Sequence, residues 1–468
     1  MKKILTTCFA LIALTLQAQS FYFGSDLSYA NEMDDCGVIY KENNTPKDVY
    51  QIFADHGTNI VRLRLWHTPS WYDNLNTGKR YSDYTDVCRS IMRAKAAGMS
   101  VLLDFHLSDR WADPGQQIVP AAWANVVDNL PVLQDSLYNY IYATLNDLNT
   151  KGLMPEMVQI GNETNRGILQ SEQQNNAGWQ LNWTRNSALF KKAIQAVRDI
   201  ETATNKDIKV ALHIANPTDA SWLMDGFWNN GVKDFDIIGL SYYWAWHKPT
   251  TITKTGDIIT QLKTKYAGKD VMIFETGYIW TTQSNDNANN IIGDFDPLYP
   301  PSPANQKKWL TDFTQEVINS GGLGVMYWEP AWVSSTCYTQ WGQGSHQEHA
   351  AFFDFSNNML PEGGMLWPEF NYQNLPSNTS MPNDADGSSI NITSSSVQGV
   401  NLIIVTAKGT TLADNDLSLF DQNGRLVAHT TANTDARFEW SVAVKISGIY
   451  FLTVQNKKKS IVRQLWLK

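Results

Sequence analysis

Between residues 21 and 370, short apolar runs alternate with longer amphipathic stretches. Eight of these runs have strand length, at residues 21–26, 59–66, 99–106, 157–162, 208–214, 236–243, 271–275 and 324–328. Several follow a helical pattern that closes on glycine, as in "FADHGTNIVRLRLW", "AKAAGMSVLLDFH" and "INSGGLGVMYW", where glycine supplies a left-handed helix cap. Steady alternation of strand and helix predicts β/α units around a parallel sheet. Eight such units predict an α/β fold, a closed (β/α)8 TIM barrel with long loops. A doubly wound open sheet is the alternative, but no glycine-rich phosphate loop follows the first run.

The pattern changes near residue 372. "NLPSNTSMPNDADGSS" reads as a linker over 372–390. Beyond it, "NLIIVTA", "LSLFDQNGRLVAHT" with an Asn423-Gly424 turn, "RFEWSVAV" and "GIYFLTV" predict a small all-β sandwich over 391–468. Its end, "SGIYFLTVQNKKKSIVRQLWLK", resembles the C-terminal sorting domains of the type IX secretion system of Bacteroidetes-like bacteria; a carbohydrate-binding module is the alternative, although the tail lacks a platform of several Trp. The run Lys457-Lys458-Lys459 reads by itself as a solvated turn. At the other end, Met1-Lys2-Lys3, an apolar run to Leu16 and Ala18 have the charge and length of a secretory signal over 1–18. That run is too short to span a bilayer, and no later one approaches the length needed. The expected product is therefore an exported protein at the cell surface, in the periplasm or outside the cell, with the barrel unit at 19–371.

Composition narrows the chemistry. Only 18% of the 468 residues are charged and the net charge is −9, so a polyphosphate would be repelled and nucleic acid is not the expected partner. The chain carries 18 Trp, 19 Tyr and 18 Phe, more than one core needs, which suggests a groove lined for flat apolar ligand faces. Without Cys8 in the leader, Cys36, Cys88 and Cys337 remain, an odd number that allows at most one disulfide, with three free thiols the alternative.

In a barrel, side chains at the C-terminal strand ends surround one pocket. Here those ends carry Arg62, Arg64 and Trp66 on the second run, Asp104 and His106 on the third, Asn162 and Glu163 on the fourth, Tyr242 and Tyr243 on the sixth, Glu275 on the seventh, and Trp328 and Glu329 on the eighth. Glu163 closes "MVQIGNE" and Glu275 closes "VMIFE", each the first acidic group after an apolar strand. Two carboxylates facing one pocket can divide glycosidic cleavage between proton donation and nucleophilic attack. Singly, each could cap a helix or pair with an arginine. Together, on an eightfold pattern, they favour catalysis.

Asn-Glu on the fourth strand and Glu on the seventh resemble the clan of retaining (β/α)8 glycosidases. More narrowly, "VRLRLW", "LLDFHLSDRWADPGQQ", "IGNE", "SYY", "FETGY" and "GLGVMYWEPAW" resemble, in the same order over residues 21–370, the glycoside hydrolase family 53 endo-β-1,4-galactanases. The resemblance implies a secreted arabinogalactan endo-β-1,4-galactanase that cuts galactan or galacto-oligosaccharides, including pectin side chains, without an organic cofactor. It implies Glu163 as general acid/base and Glu275 as nucleophile. Arg62 would keep Glu275 ionised and Tyr243 would donate to it, with Tyr242 in its place if the strand phase shifts by one. Asn162 would hold the sugar 2-hydroxyl, while Asp104, His106 and His213 would orient other hydroxyls. Trp66, Trp111 and Trp328 are the stacking candidates, and position adds Trp244 and Trp246. Glu329, one residue further along, reads as a structural partner. A clan member acting on glucan or mannan, or a carbohydrate-binding protein without turnover, are the competing readings. A monomer is expected.

Metal signals are weaker. "HQEH" at 346–349 lacks the helical zinc spacing and reads as a loop. "QSNDNANN" offers oxygen ligands at Asn285, Asp286, Asn287 and Asn289, a chemistry suited to calcium. Bacterial members of the resembled family often carry a structural Ca2+ in this loop. A single acidic residue should weaken it here, and a plain polar loop is the alternative.

Overall fold

The computed structural model describes residues 21–76, 78–178, 181–375, 389–397, 400–408, 410–456 and 460–468. The expected leader at 1–18, most of the linker and the lysine run at 457–459 lie outside them. Each of the eight apolar runs becomes one strand: β1 (Tyr22–Asp26), β2 (Ile60–Leu65), β3 (Ser100–Phe105), β4 (Met157–Ile160), β5 (Lys209–Ala215), β6 (Ile237–Ser241), β7 (Asp270–Glu275) and β8 (Gly324–Tyr327). They are parallel neighbours in chain order, and β8 closes on β1 with Tyr22 opposite Gly324.

The amphipathic stretches form the outer layer as α1 (Val49–Asp55), α2 (Tyr84–Ala96), α3 (Leu130–Thr150), α4 (Trp183–Thr204), α5 (Ala220–Asn229), α6 (Ile252–Lys265) and α7 (Pro303–Asn319). Their starts are encoded locally. Asp48, Asp83, Asn129, Asn182, Thr251 and Ser302 each accept a first-turn backbone N–H, and Pro303 occupies a position that has no N–H to lose. The eighth unit ends instead in a 3-10 turn, Gly364–Glu369, which contains Pro368. Strand β2 is buried along its whole length although it contains Arg62 and Arg64. Two guanidiniums in a barrel interior require ionic partners, and those partners organise the site.

A hairpin, β9 (Tyr338–Thr339) with β10 (Gly342–Gln343), rises from the loop after β8. A disulfide between Cys36 and Cys337 ties its base to the loop after β1, with Cα atoms 5.8 Å apart, while Cys88 is a buried free thiol.

The C-terminal strands are β11 (Ser389–Val397), β12 (Val400–Lys408), β13 (Asp416–Asp421), β14 (Leu426–Thr431), β15 (Arg437–Val442), β16 (Gly448–Gln455) and β17 (Ser460–Leu467). They form two antiparallel sheets, ordered β11-β12-β15 and β14-β13-β16-β17. Strand β11 was hidden in the sequence because "SINITSSSV" is mostly polar; pairing to β12 from Ser389 opposite Lys408 to Val397 opposite Val400 makes it a strand. Gly424, at φ 78°, forms the β13–β14 turn. Phe420, Phe451 and Val462 join the core of the barrel, and Ser460 Oγ donates to the Gly152 carbonyl at 2.5 Å. Gly152 precedes β4, so this contact lies at the end of the barrel opposite the strand ends that carry polar side chains.

Candidate active site

The turn after β4 sets the site. Gly161 has φ +72°, and a Cβ there would sit 2.7 Å from Thr164 and 2.9 Å from Ile168, so glycine is required for the close approach. Glu163 is itself left-handed, at φ 44° and ψ 57°, a conformation that costs an ordinary residue about 1–2 kcal/mol. The bend turns Asn162 and Glu163 toward the barrel axis. Asn162 Nδ2 donates to the Ala112 carbonyl at 2.7 Å, and its Oδ1 accepts from Arg62 at 2.7 Å.

Arg62 is the hub beneath the pocket. Its guanidinium meets Asp26 at 2.7 Å, Glu275 at 2.9 Å and Asp104 at 3.0 Å, and its Nε donates to Gln159 Oε1 at 3.0 Å. Gln159 also donates to Asp104 at 2.9 Å. Glu275, at the end of β7, accepts in addition from the Tyr243 hydroxyl at 3.2 Å. Next to it, the Glu163 backbone N–H donates to His213 Nδ1 at 3.3 Å, and His213 Nε2 lies 3.0 Å from Ser241 Oγ. Burial holds His213 well below its ordinary pKa, so the imidazole is neutral.

The two carboxyl groups titrate differently for physical reasons. Burial raises both. The charge of Glu275 pushes Glu163 further up, with the Ser241 hydroxyl only partly opposing it. Arg62 and Tyr243 pull Glu275 back down against Asp26 and Asp104. Glu275 is therefore the first of the pair to ionise, and Glu163 keeps its proton longer.

Trp111, Asn162, Glu163, Tyr243, Glu275 and Trp328, all expected at the site, line one cavity of about 480 Å³. Arg62, Asp104 and His213 lie beneath it as supports, and His106 sits behind Trp111 with Nδ1 2.8 Å from Asp104. Two expectations are corrected. Tyr242 points away from the cavity, donates to the Thr250 carbonyl at 2.8 Å and packs on Trp309 and Phe313, so Tyr243 is the inward tyrosine. Trp66 is wholly buried, with the Arg64 guanidinium 4.4 Å from its ring centroid, and has no face left for a sugar.

Arg64 supports this wall. It lies 4.2 Å from the centroid of Trp111 and 4.8 Å from that of Tyr29, and it pairs with Glu329 at 3.0 Å. Glu329 is thus held as a structural partner, as its sequence position suggested. Missing from the sequence reading were Asp26, Gln159, Ser241, Trp332 and Trp341. Asp26 and Gln159 had a readable signal, as polar residues on otherwise apolar strands. Trp341, nearly half exposed on the β9–β10 hairpin, lines the cavity from a loop without periodicity. Trp246 lines it too, whereas Trp244 does not.

In the loop after β7, where calcium ligands were expected, the Asp286 carboxylate accepts backbone N–H groups from Ala288 at 2.9 Å, Ser335 at 3.2 Å and Ser345 at 2.7 Å, and the Asn285 N–H donates to Glu348 at 2.7 Å. Gly344 lets the chain approach, since a Cβ there would lie 2.2 Å from Asp286. Asn287 is engaged with Gln343, and the Asn289 carbonyl faces His346 Nδ1 at 2.7 Å. Reduction of Cys36–Cys337 should lower the melting temperature, because a bridge closing a long loop contributes about 2–5 kcal/mol. A thermal melt with and without a reductant checks this; an unchanged melting temperature would contradict it.

Comparison with known proteins agrees with this geometry. The pattern of glycosyl hydrolase family 53 matches residues 22–365, and that of a secretion system C-terminal sorting domain matches residues 388–468. The chain is 46% identical over 345 residues to an arabinogalactan endo-beta-1,4-galactanase of Cellvibrio japonicus, covering 73% of this chain and 89% of that protein. It is 34% identical over 385 residues to an endo-beta-1,4-galactanase of Bacillus subtilis, covering 73% and 84%. Among solved structures, the Ignisphaera aggregans GH53 catalytic domain superimposes with a TM-score of 0.67 at 32% identity, covering 77% of this chain and 98% of that one.

Proposed function

The chain belongs to glycosyl hydrolase family 53, and from that premise we propose that it is an exported endo-β-1,4-galactanase acting on galactan or arabinogalactan with retention of configuration. One observation carries the reading: a half-buried and a buried carboxyl group, Glu163 and Glu275, share one aromatic-lined cavity, and only Glu275 is clamped by a guanidinium. Glu275, kept ionised by Arg62, attacks the anomeric carbon while Glu163 gives its proton to the departing glycosidic oxygen. The galactosyl ester that forms on Glu275 carries no charge. The repulsion that raised Glu163 is then gone, and its pKa falls. Glu163 is thereby suited to take a proton from the water that attacks the ester, which regenerates both groups. Asn162 has a second amide hydrogen beyond the one given to Ala112, available to a sugar hydroxyl. The sorting domain supports export. We propose that it acts as a monomer, which its elution volume checks.

The test is product size against time on linear β-1,4-galactan, with β-1,4-glucan and mannan alongside. Early mixed oligosaccharides from galactan alone are expected. Cleavage of glucan or mannan in preference would move the substrate within the clan, and binding of galactan without any products would favour a carbohydrate-binding protein. The rate should also follow a bell-shaped pH profile. Activity is lost on the acid side as Glu275 gains a proton and on the alkaline side as Glu163 loses one. Since burial raises both groups, the bell should sit above the ordinary glutamate value of about 4.3. An alkaline limb at that ordinary value would contradict the assignment of Glu163.

A further inference from the structure

A second cavity, of about 410 Å³, opens on the same barrel face beside the catalytic one. Loops after β2, β3 and β4 and the β9–β10 hairpin build it from Trp71, Arg110, Glu172 and Gln340, among others. Trp71 is rigidly placed. One of its faces stacks on Tyr72 with centroids 3.8 Å apart, and its indole N–H donates to the Asp109 carbonyl at 3.0 Å. Trp71 also meets Trp341 edge to face at 6.0 Å, and Trp341 lines the catalytic cavity. The two tryptophans form a wall between the cavities.

The charges around Trp71 divide sharply. The Asp109 carboxylate is satisfied by the backbone N–H groups of Thr68 and Ala121, each at 2.8 Å. The Arg110 guanidinium and the Glu172 carboxylate, by contrast, have no hydrogen-bond or ion-pair partner among the described residues. An unpaired donor fork and an unpaired acceptor beside a fixed indole suit a neutral sugar, whose hydroxyls both accept and donate and whose apolar face stacks. An anion would be opposed by Glu172 and Asp109. A hydrophobe would desolvate two charges without replacing their hydrogen bonds.

We propose that this second cavity binds a neutral sugar branch, such as an arabinosyl substituent, of a galactan chain whose backbone lies in the catalytic groove on the other side of the Trp71–Trp341 wall. The inference rests on the galactanase reading and names the branched polymer as its preferred substrate.

The test compares Arg110→Met and Glu172→Gln with the unaltered chain on linear and on arabinosyl-substituted galactan. Each substitution should lower kcat/KM on the branched polymer about tenfold, through KM, as expected for losing a hydrogen bond to a charged group. On linear galactan it should change by less than about twofold, within the ordinary scatter of surface substitutions. Equal losses on both polymers would make the cavity a main-chain subsite and overturn the proposal; no loss on either would do the same. Calorimetric titration of the full-length Glu275→Gln chain with linear and branched oligosaccharides reads binding without turnover. Tighter binding of the branched ligand, abolished by adding Arg110→Met, is expected. Equal affinity for the two ligands sinks the branch site even if the polymer assays stand, whereas inactivity of the unaltered chain on both polymers counts against the galactanase reading itself.

Discussion

Replacing Glu275 by Gln abolishes turnover of linear β-1,4-galactan, with kcat/KM falling on the order of 10⁴-fold or more, because an amide cannot form the glycosyl ester. The fold should survive. Gln keeps the shape that fits against Arg62 and Tyr243, and Arg62 retains Asp26 and Asp104 as counter-charges. Initial rates and a thermal melt of the same preparation separate loss of chemistry from loss of structure. A second readout addresses the role itself. With Glu275→Ala, added azide should give galactosyl azide of inverted configuration, since azide then attacks in place of the missing carboxylate. A retained product, or activity within about a hundredfold of the unaltered enzyme, would move the nucleophile elsewhere. Glu329 is a poor substitute, being locked onto Arg64 and the Tyr29 backbone N–H.

Glu163→Ala should behave differently. On the polymer, whose leaving group is a poor one, loss of the proton donor lowers the rate about 10²–10⁴-fold. Aryl galacto-oligosaccharides with acidic leaving groups need no proton and should keep most of their first step, so the ester on Glu275 accumulates. Azide should then accelerate turnover and yield an azide of retained configuration. The alkaline limb of the pH profile should vanish as well, because the group that titrates there is gone. If Glu163→Ala is instead insensitive to leaving-group acidity while Glu275→Ala responds to it, the two roles are exchanged.

The eight strands and the two glutamates were legible in the sequence because each depends on local chemistry. Apolar runs of strand length, a glycine that closes the preceding helix, and a first acidic residue after a strand all declare themselves within a few positions. Barrel topology then brings the strand ends together, so Glu163 in the turn after β4 and Glu275 at the end of β7 line one cavity without any sequence signal of their proximity. The phase at β6 could not be read in this way. A register shift between Leu240 and Ser241 precedes the Tyr pair, and only the folded sheet decides that Tyr243 faces Glu275 while Tyr242 packs outward on Trp309.

The remainder depends on partners far apart in the chain. Trp66 loses its stacking role because Arg64 covers it. The Asp286 carboxylate is tied to the N–H groups of Ser335 and Ser345, far along the chain. Trp341 reaches the cavity on a hairpin pinned by a disulfide between residues 301 positions apart. Periodicity and capping are short-range properties, and the sequence by itself determined the barrel, its sandwich appendix and the strand-end positions of Glu163 and Glu275 through them. Which side chains are left free to meet a ligand is set by competition for hydrogen bonds and ring faces among residues that only the tertiary structure brings into contact.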